Sequence, residues 1–150
     1  MSLSGVLSNY VLIAGLVAWA IAQTIKVPVD YLQHGRWNWE ILLSPGGMPS
    51  SHAALVTATA HAIGLFGGFD TPLFALAMVV AIVVVYDATG IRRQAGLQAA
   101  LINAMIRDLA SGHPLKSEKL REVLGHTPLE VIGGVVWGIL ISTLVWMVWR

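Results

Sequence analysis

The sequence predicts an all-α fold: a polytopic membrane helical bundle of about four transmembrane helices plus a cytoplasmic-side amphipathic or re-entrant helix, all in one domain over residues 1–150. Three observations carry this expectation. Of the 150 residues, 56% are apolar and 11% charged, with a mean hydropathy of +0.72, far from the balance of a soluble globular chain. Four segments, roughly residues 10–25, 53–69, 71–86 and 131–149, are apolar over a length that crosses a hydrocarbon core of about 30 Å if that core is thin or the helix modestly tilted. The basic residues are also unevenly placed. Lys26, Arg36, Arg92, Arg93, Arg107, Lys116, Lys119 and Arg121 fall in two long connections, and Arg150 alone lies elsewhere.

Taken in order, the first span has no charge between Met1 and Ile25. It therefore lacks the basic start of a secretory signal, Ala18-Trp19-Ala20 is a chance-level cleavage pattern, and the stretch reads as a retained anchor. Lys26 closes this span, either as a snorkelling anchor or within reach of a lipid phosphate. The connection from Lys26 to His52 contains Pro28, Pro45, Gly46 and Gly47. Asp70-Thr71-Pro72 joins the second and third spans as a helical hairpin, with Pro72 suited to a first helical turn. In Ile91–Ala110, Leu97, Leu101, Met105 and Leu109 recur at four-residue spacing against Gln94, Gln98, Asn103 and Arg107. That is an amphipathic helix lying along the interface or re-entering the bundle; a crossing there would set His52 and His126 on opposite sides. Lys116 to Glu122 reads as a solvated, charge-laced helix, and Thr127-Pro128-Leu129-Glu130 as the capping box that starts the last span.

Four crossings leave both long connections on one side, and the positive-inside rule assigns that side to the cytoplasm. The expectation is an integral protein of the bacterial inner (plasma) membrane, N-out and C-out. Trp37 and Trp39 suit the cytoplasmic interface, and Trp146 and Trp149 the opposite one. With no cysteine, disulfides and thiolate metal sites are excluded. Small residues at Gly133-Gly134 and Gly138 permit close helix packing and a homodimer. The partners expected are membrane lipids, with no nucleic acid.

The residues able to do chemistry gather at two helix starts, Pro49-Ser50-Ser51-His52 and Gly125-His126-Thr127-Pro128-Leu129-Glu130. A helix start offers unpaired N–H groups and the positive end of its dipole, which suits an anion, and a histidine there can move protons or attack phosphorus. Plainer roles exist for the same residues. Ser50 or Ser51 can be only a cap, His52 can pack at the interface, and Glu130 can cap its helix while also orienting His126. Asp87, at the end of a span, needs a partner. Arg92 and Arg93 supply one as an ion pair, or act as phosphate ligands. His61 is expected to be packed or hydrogen-bonded inside the second span, and His34 and His113 have no partner spacing. No zinc signature is present, and neither a metal nor a cofactor is expected.

Gly46 to His52, Tyr86 to Gly96 and Leu120 to Gly134 together resemble the divergent branch of the phosphatidic acid phosphatase type 2 family, also described as acid phosphatase/vanadium-dependent haloperoxidase-related membrane proteins. Pro49-Ser50-Ser51-His52 is similar to that superfamily's Pro-Ser-Gly-His motif, with Ser in place of Gly. Arg121, His126 and Glu130 are similar to its last motif, with a shorter Arg-to-His gap and Glu in place of Asp. Lys26 stands for the first motif, with Arg36 ten residues later and no Arg-Pro pair. The resemblance implies a metal-independent phosphatase acting on a lipid phosphate. His126 would be its nucleophile, His52 the acid and Glu130 the orienting carboxylate, with Lys26, Arg36, Ser50, Ser51, Asp87, Arg92, Arg93 and Arg121 around the substrate. Two alternatives accompany it. One is a non-catalytic membrane protein that binds lipid head groups or serves as a small transporter or assembly factor; the other is a metal-dependent lipid phosphotransferase built on Asp87 to Arg93.

Overall fold

The computed structural model describes residues 8–44, 46–89, 91–110 and 126–150, without the side chains at 91–93, 108 and 110. The described residues are helical, with no strand among them: α1 (Tyr10–His34), a short 3-10 turn (Trp39–Leu43), α2 (Ser51–Gly67), α3 (Pro72–Thr89), α4 (Ile91–Ala110) and α5 (Pro128–Trp149). Three helical runs are long and apolar enough to cross a membrane: Tyr10–His34, the run Pro72–Arg107 and Pro128–Trp149. The 17-residue α2 is the short one, about 26 Å at 1.5 Å per residue.

Although short, α2 is the central helix and packs on α1, α3 and α5. Its alanines explain why. Ala54, Ala58 and Ala62 recur every fourth residue and meet Ala14, Ala18 and Ala22, spaced the same way on α1. Between lipid-embedded helices there is no water to expel, so association depends on close van der Waals contact, and small side chains permit it. The same device joins α2 to α5. A Cβ at Gly134 would collide with the Ser50 carbonyl oxygen, and one at Gly138 would sit 2.7 Å from that of Ala54.

These pairs also fix directions. Gly15 lies against Thr59 and Lys26 reaches Ser51, so α1 and α2 are antiparallel. Gly134 meets Ser50 and Ser142 meets His61, so α2 and α5 run parallel. One end of the bundle carries aromatic contacts of Tyr10 with Phe66 and Trp149, at 5.6 and 5.8 Å between ring centroids. The other end gathers Lys26, the start of α2, the end of α3 and the start of α5.

His61 and Ser142 make a polar contact inside this core. The Ser142 hydroxyl lies 2.8 Å from the Gly138 carbonyl and 2.8 Å from His61 Nδ1. Donating its proton to the carbonyl leaves its oxygen to accept from His61 Nδ1–H, which fixes the imidazole tautomer. Ser142→Ala is expected to cost about 1 kcal/mol of bundle stability, the scale of an interhelical hydrogen bond in lipid. Reversible unfolding in mixed micelles measures it; an unchanged midpoint would show that the pair adds nothing.

α4 has the bounds its leucine spacing predicts, and among the described residues it packs on α3 alone. Leu97, Leu101, Met105 and Leu109 are exposed, so its apolar face is not inserted among the other helices. α1 differs more from expectation. It continues to His34 rather than breaking at Pro28, which is exposed and costs only one helical hydrogen bond. His34 also has a partner after all: its Nδ1 lies 2.9 Å from the Asp30 carboxylate, one turn earlier.

Candidate functional site

The gathered end is built from caps. Ser50 is the N-cap of α2, its hydroxyl accepting from Ala53 N–H at 3.3 Å. Thr127 is the N-cap of α5, with Pro128 following and Glu130 completing the capping box. A single backbone bond ties the two helix starts: Ser50 N–H donates to the Glu130 carbonyl at 2.9 Å. A second ties in the end of α3, His126 N–H donating to the Ala88 carbonyl at 2.9 Å. The end of α3 and the approach to α5 therefore meet at the same end of the bundle.

This geometry brings the two histidines together. The His52 and His126 rings lie 6.3 Å apart, tilted by 59°. His126 is 3% exposed, and its Nδ1 sits 2.8 Å from Glu130 Oε2, which also accepts from Thr127 N–H at 3.4 Å. An ionised carboxylate only accepts, so Nδ1 carries the proton and the Nε2 lone pair is turned away from Glu130. That Nε2 is buried and has no hydrogen-bond partner among the described residues. One glutamate thus caps a helix and orients an imidazole with the same oxygen.

Lys26 is not a snorkelling anchor. It is 0% exposed, with Nζ donating to the Ser44 carbonyl at 3.3 Å and to Ser51 Oγ at 3.4 Å. A buried ammonium needs such partners, and the Glu130 carboxylate is near enough to act on it electrostatically. Ser50 and Ser51 are buried beside it. Asp87 is half-buried in the last turn of α3, next to the Ala88 that holds His126. Arg92 and Arg93 stand in the first turn of α4, their side chains not described, and Arg121 and His113 lie outside the described residues.

A polar cavity of about 590 Å³ opens against the same end. Lys26, Arg36 and Glu130 line it; His52, His126, Ser50, Ser51 and Asp87 do not. Its wall also includes Asp30, Gln33 and Glu40, which sequence reasoning passed over. The signal was available for two of them: Lys26, Val29, Asp30 and Gln33 share a helical face once α1 is allowed to run through Pro28. No group of three or more His, Asp or Glu suited to holding a metal occurs among the described residues.

A family model described as the Divergent PAP2 family matches residues 7–141. The chain is 41% identical over 147 residues to the Uncharacterized membrane protein YuiD of Bacillus subtilis (strain 168), across 91% of this chain and 93% of that one. No solved structure matches it.

Proposed function

The chain belongs to the Divergent PAP2 family, and from that premise we propose that it is a membrane lipid-phosphate phosphatase whose paired histidines hydrolyse a phosphomonoester at the cytoplasmic interface. The observation that carries this reading is the convergence of His52 on His126 at 6.3 Å, with Glu130 on one nitrogen of His126 and the other without a partner among the described residues. The Nε2 lone pair of His126 attacks phosphorus. A P–N bond forms as the bond to the lipid oxygen breaks, and His52 gives that oxygen its proton. Glu130 stabilises the positive charge that His126 acquires. His52, now neutral, takes a proton from water as the water oxygen displaces His126 from phosphorus, which regenerates both rings and frees inorganic phosphate.

The N–H groups at the two helix starts, the Ser51 hydroxyl and the Lys26 ammonium are suited to the charge on the transferring phosphoryl group. Arg36, on the rim of the cavity, is a head-group contact in this reading, and Arg92, Arg93 and Arg121 are further phosphate ligands. Asp87, in the last turn of α3, is in this reading a carboxylate at the edge of the phosphate site. Suitable substrates are lipids with a terminal phosphate, such as phosphatidate, phosphatidylglycerophosphate or a polyprenyl phosphate. The test is phosphate release from these lipids by the purified chain in vesicles, with a chelator present. Two imidazoles suffice for the chemistry, so release is expected to be unaffected by the chelator. Loss of release on chelation would favour the metal-dependent phosphotransferase. No release from any lipid, where a control enzyme succeeds, overturns the proposal.

One observation favours a second reading. The polar cavity carries Lys26 and Arg36 but also Asp30, Glu40 and Glu130, and it leaves out both histidines. Mixed charge of this kind suits binding of a lipid head group without turnover; retained lipid affinity with no release would support it.

A further inference from the structure

A second cavity, of about 530 Å³, lies along the side of the bundle between α2, α3 and α5. Its wall on α3 includes Phe74, Met78, Ala81, Val85 and Thr89, spaced by three or four residues and so on one helical face over about 22 Å, with Ile82 and Tyr86 along its margin. We propose that this groove seats one hydrocarbon chain of the lipid whose phosphate the histidine end handles, and that Phe69 and Phe74 form the floor that sets the length of chain it takes. The proposal rests on the phosphatase reading for its head group, and on the groove alone for its tail.

The place of the groove identifies the occupant. Leu76, Val79, Val80 and Val83, on the remaining faces of α3, are exposed, as are Ile132 and Val136 on α5. These helices are among those apolar enough to cross a membrane, so their exposed apolar faces meet hydrocarbon. The upper end of the groove is Thr89, adjacent to the Ala88 carbonyl that holds His126, and Thr57 lies on α2 below His52. A lipid with its phosphate between the imidazoles therefore has an apolar channel directly below. Two of the polar groups along the wall are engaged: the Thr89 hydroxyl donates to the Val85 carbonyl at 3.1 Å, and His61 Nδ1 is held by Ser142.

The lower end is closed by rings. Phe69 and Phe74 meet edge to face at 5.1 Å, and Phe69 lies 6.0 Å from His61. Gly64 makes this possible, since a Cβ there would overlap the Phe69 ring. A chain that leaves the bilayer for this groove gains no hydrophobic burial, because both surroundings are apolar. The groove therefore contributes position and length selection, through van der Waals contact with its floor.

The experiment uses phosphatidate with a photoactivatable diazirine at the end of one acyl chain, in phosphatidylcholine vesicles containing the intact chain. Label is expected on Phe69, Phe74 and Met78 rather than on the outward residues Leu76 and Val83. Ala81→Phe should lower groove labelling about tenfold, equivalent to about 1.4 kcal/mol, and Phe74→Ala should move the preferred chain to a longer one. Val85→Phe replaces Ala81→Phe should the latter fail to fold. Label spread over the outward faces and unchanged by either filling variant overturns the groove. Since labelling needs no turnover, groove label without phosphate release rejects the phosphatase reading alone, and release without groove label rejects the groove alone.

Discussion

His126→Ala is expected to slow phosphate release from a lipid phosphate by about 10⁴-fold or more, the scale on which removal of a nucleophile or its partner acts elsewhere. Among the described residues of the gathered end, Lys26 is committed to Ser44 and Ser51, Ser50 is buried as the cap of α2, and His52 is assigned to the leaving oxygen. Glu130→Gln should be milder, at about 10²- to 10⁴-fold. Its amide oxygen can still accept from His126 Nδ1, but it lacks the charge that stabilises an imidazolium. His52→Ala should also fall in that range, and its loss should shrink on an aryl phosphate, whose leaving oxygen needs no proton. Circular dichroism and elution volume must match the native chain for these comparisons to count. Native-like turnover by a folded His126→Ala protein would falsify the assignment of the nucleophile.

Adjacent glycines are expected to respond in opposite ways. A Cβ at Gly134 overlaps the Ser50 carbonyl oxygen and lies 2.9 Å from Ala53 Cβ, both on the central helix. Backbone cannot swing aside as a side chain can, so Gly134→Ala must push α5 from α2, at the upper end of the about 1–3 kcal/mol typical of overpacking. The displacement also strains the Ser50 N–H to Glu130 bond, and with it the approach of His52 to His126. A Cβ at Gly133 instead meets Pro49 Cβ at 3.6 Å, an ordinary contact. Gly133→Ala should be neutral or slightly stabilising, since alanine is favoured over glycine in a helix by about 1 kcal/mol. Unfolding of the two variants side by side in mixed micelles decides the matter; equal midpoints would show that the close approach of α2 and α5 does not govern stability.

Much of this was legible in the linear chain because it is local chemistry. Apolar runs identify the helices, the four-residue spacing of Leu97 to Leu109 bounds α4, and Thr127-Pro128-Leu129-Glu130 reads directly as the capping box that is observed. Glu130 is the residue of the capping box that folds back over the helix start, and His126 stands just before the cap, so their contact is local to the motif. Pro28 was misleading. It looks like a break, yet on an exposed face it removes one backbone bond and lets α1 run on to His34. Asp30 and Gln33 were lost from view with that turn.

The sequence by itself thus determined an all-helical membrane chain, its caps and the two histidine-bearing helix starts, since each depends on residues within a few turns of one another. Only the tertiary structure decided that the two starts are bonded to each other with their imidazoles 6.3 Å apart, that Lys26 is buried among Ser44, Ser51 and Glu130, and that grooves lie beside them. The reason is physical: hydropathy says which faces leave water but not which helix each face meets. That choice is made where Gly134, Gly138 and the alanines of α1 and α2 let particular backbones come close.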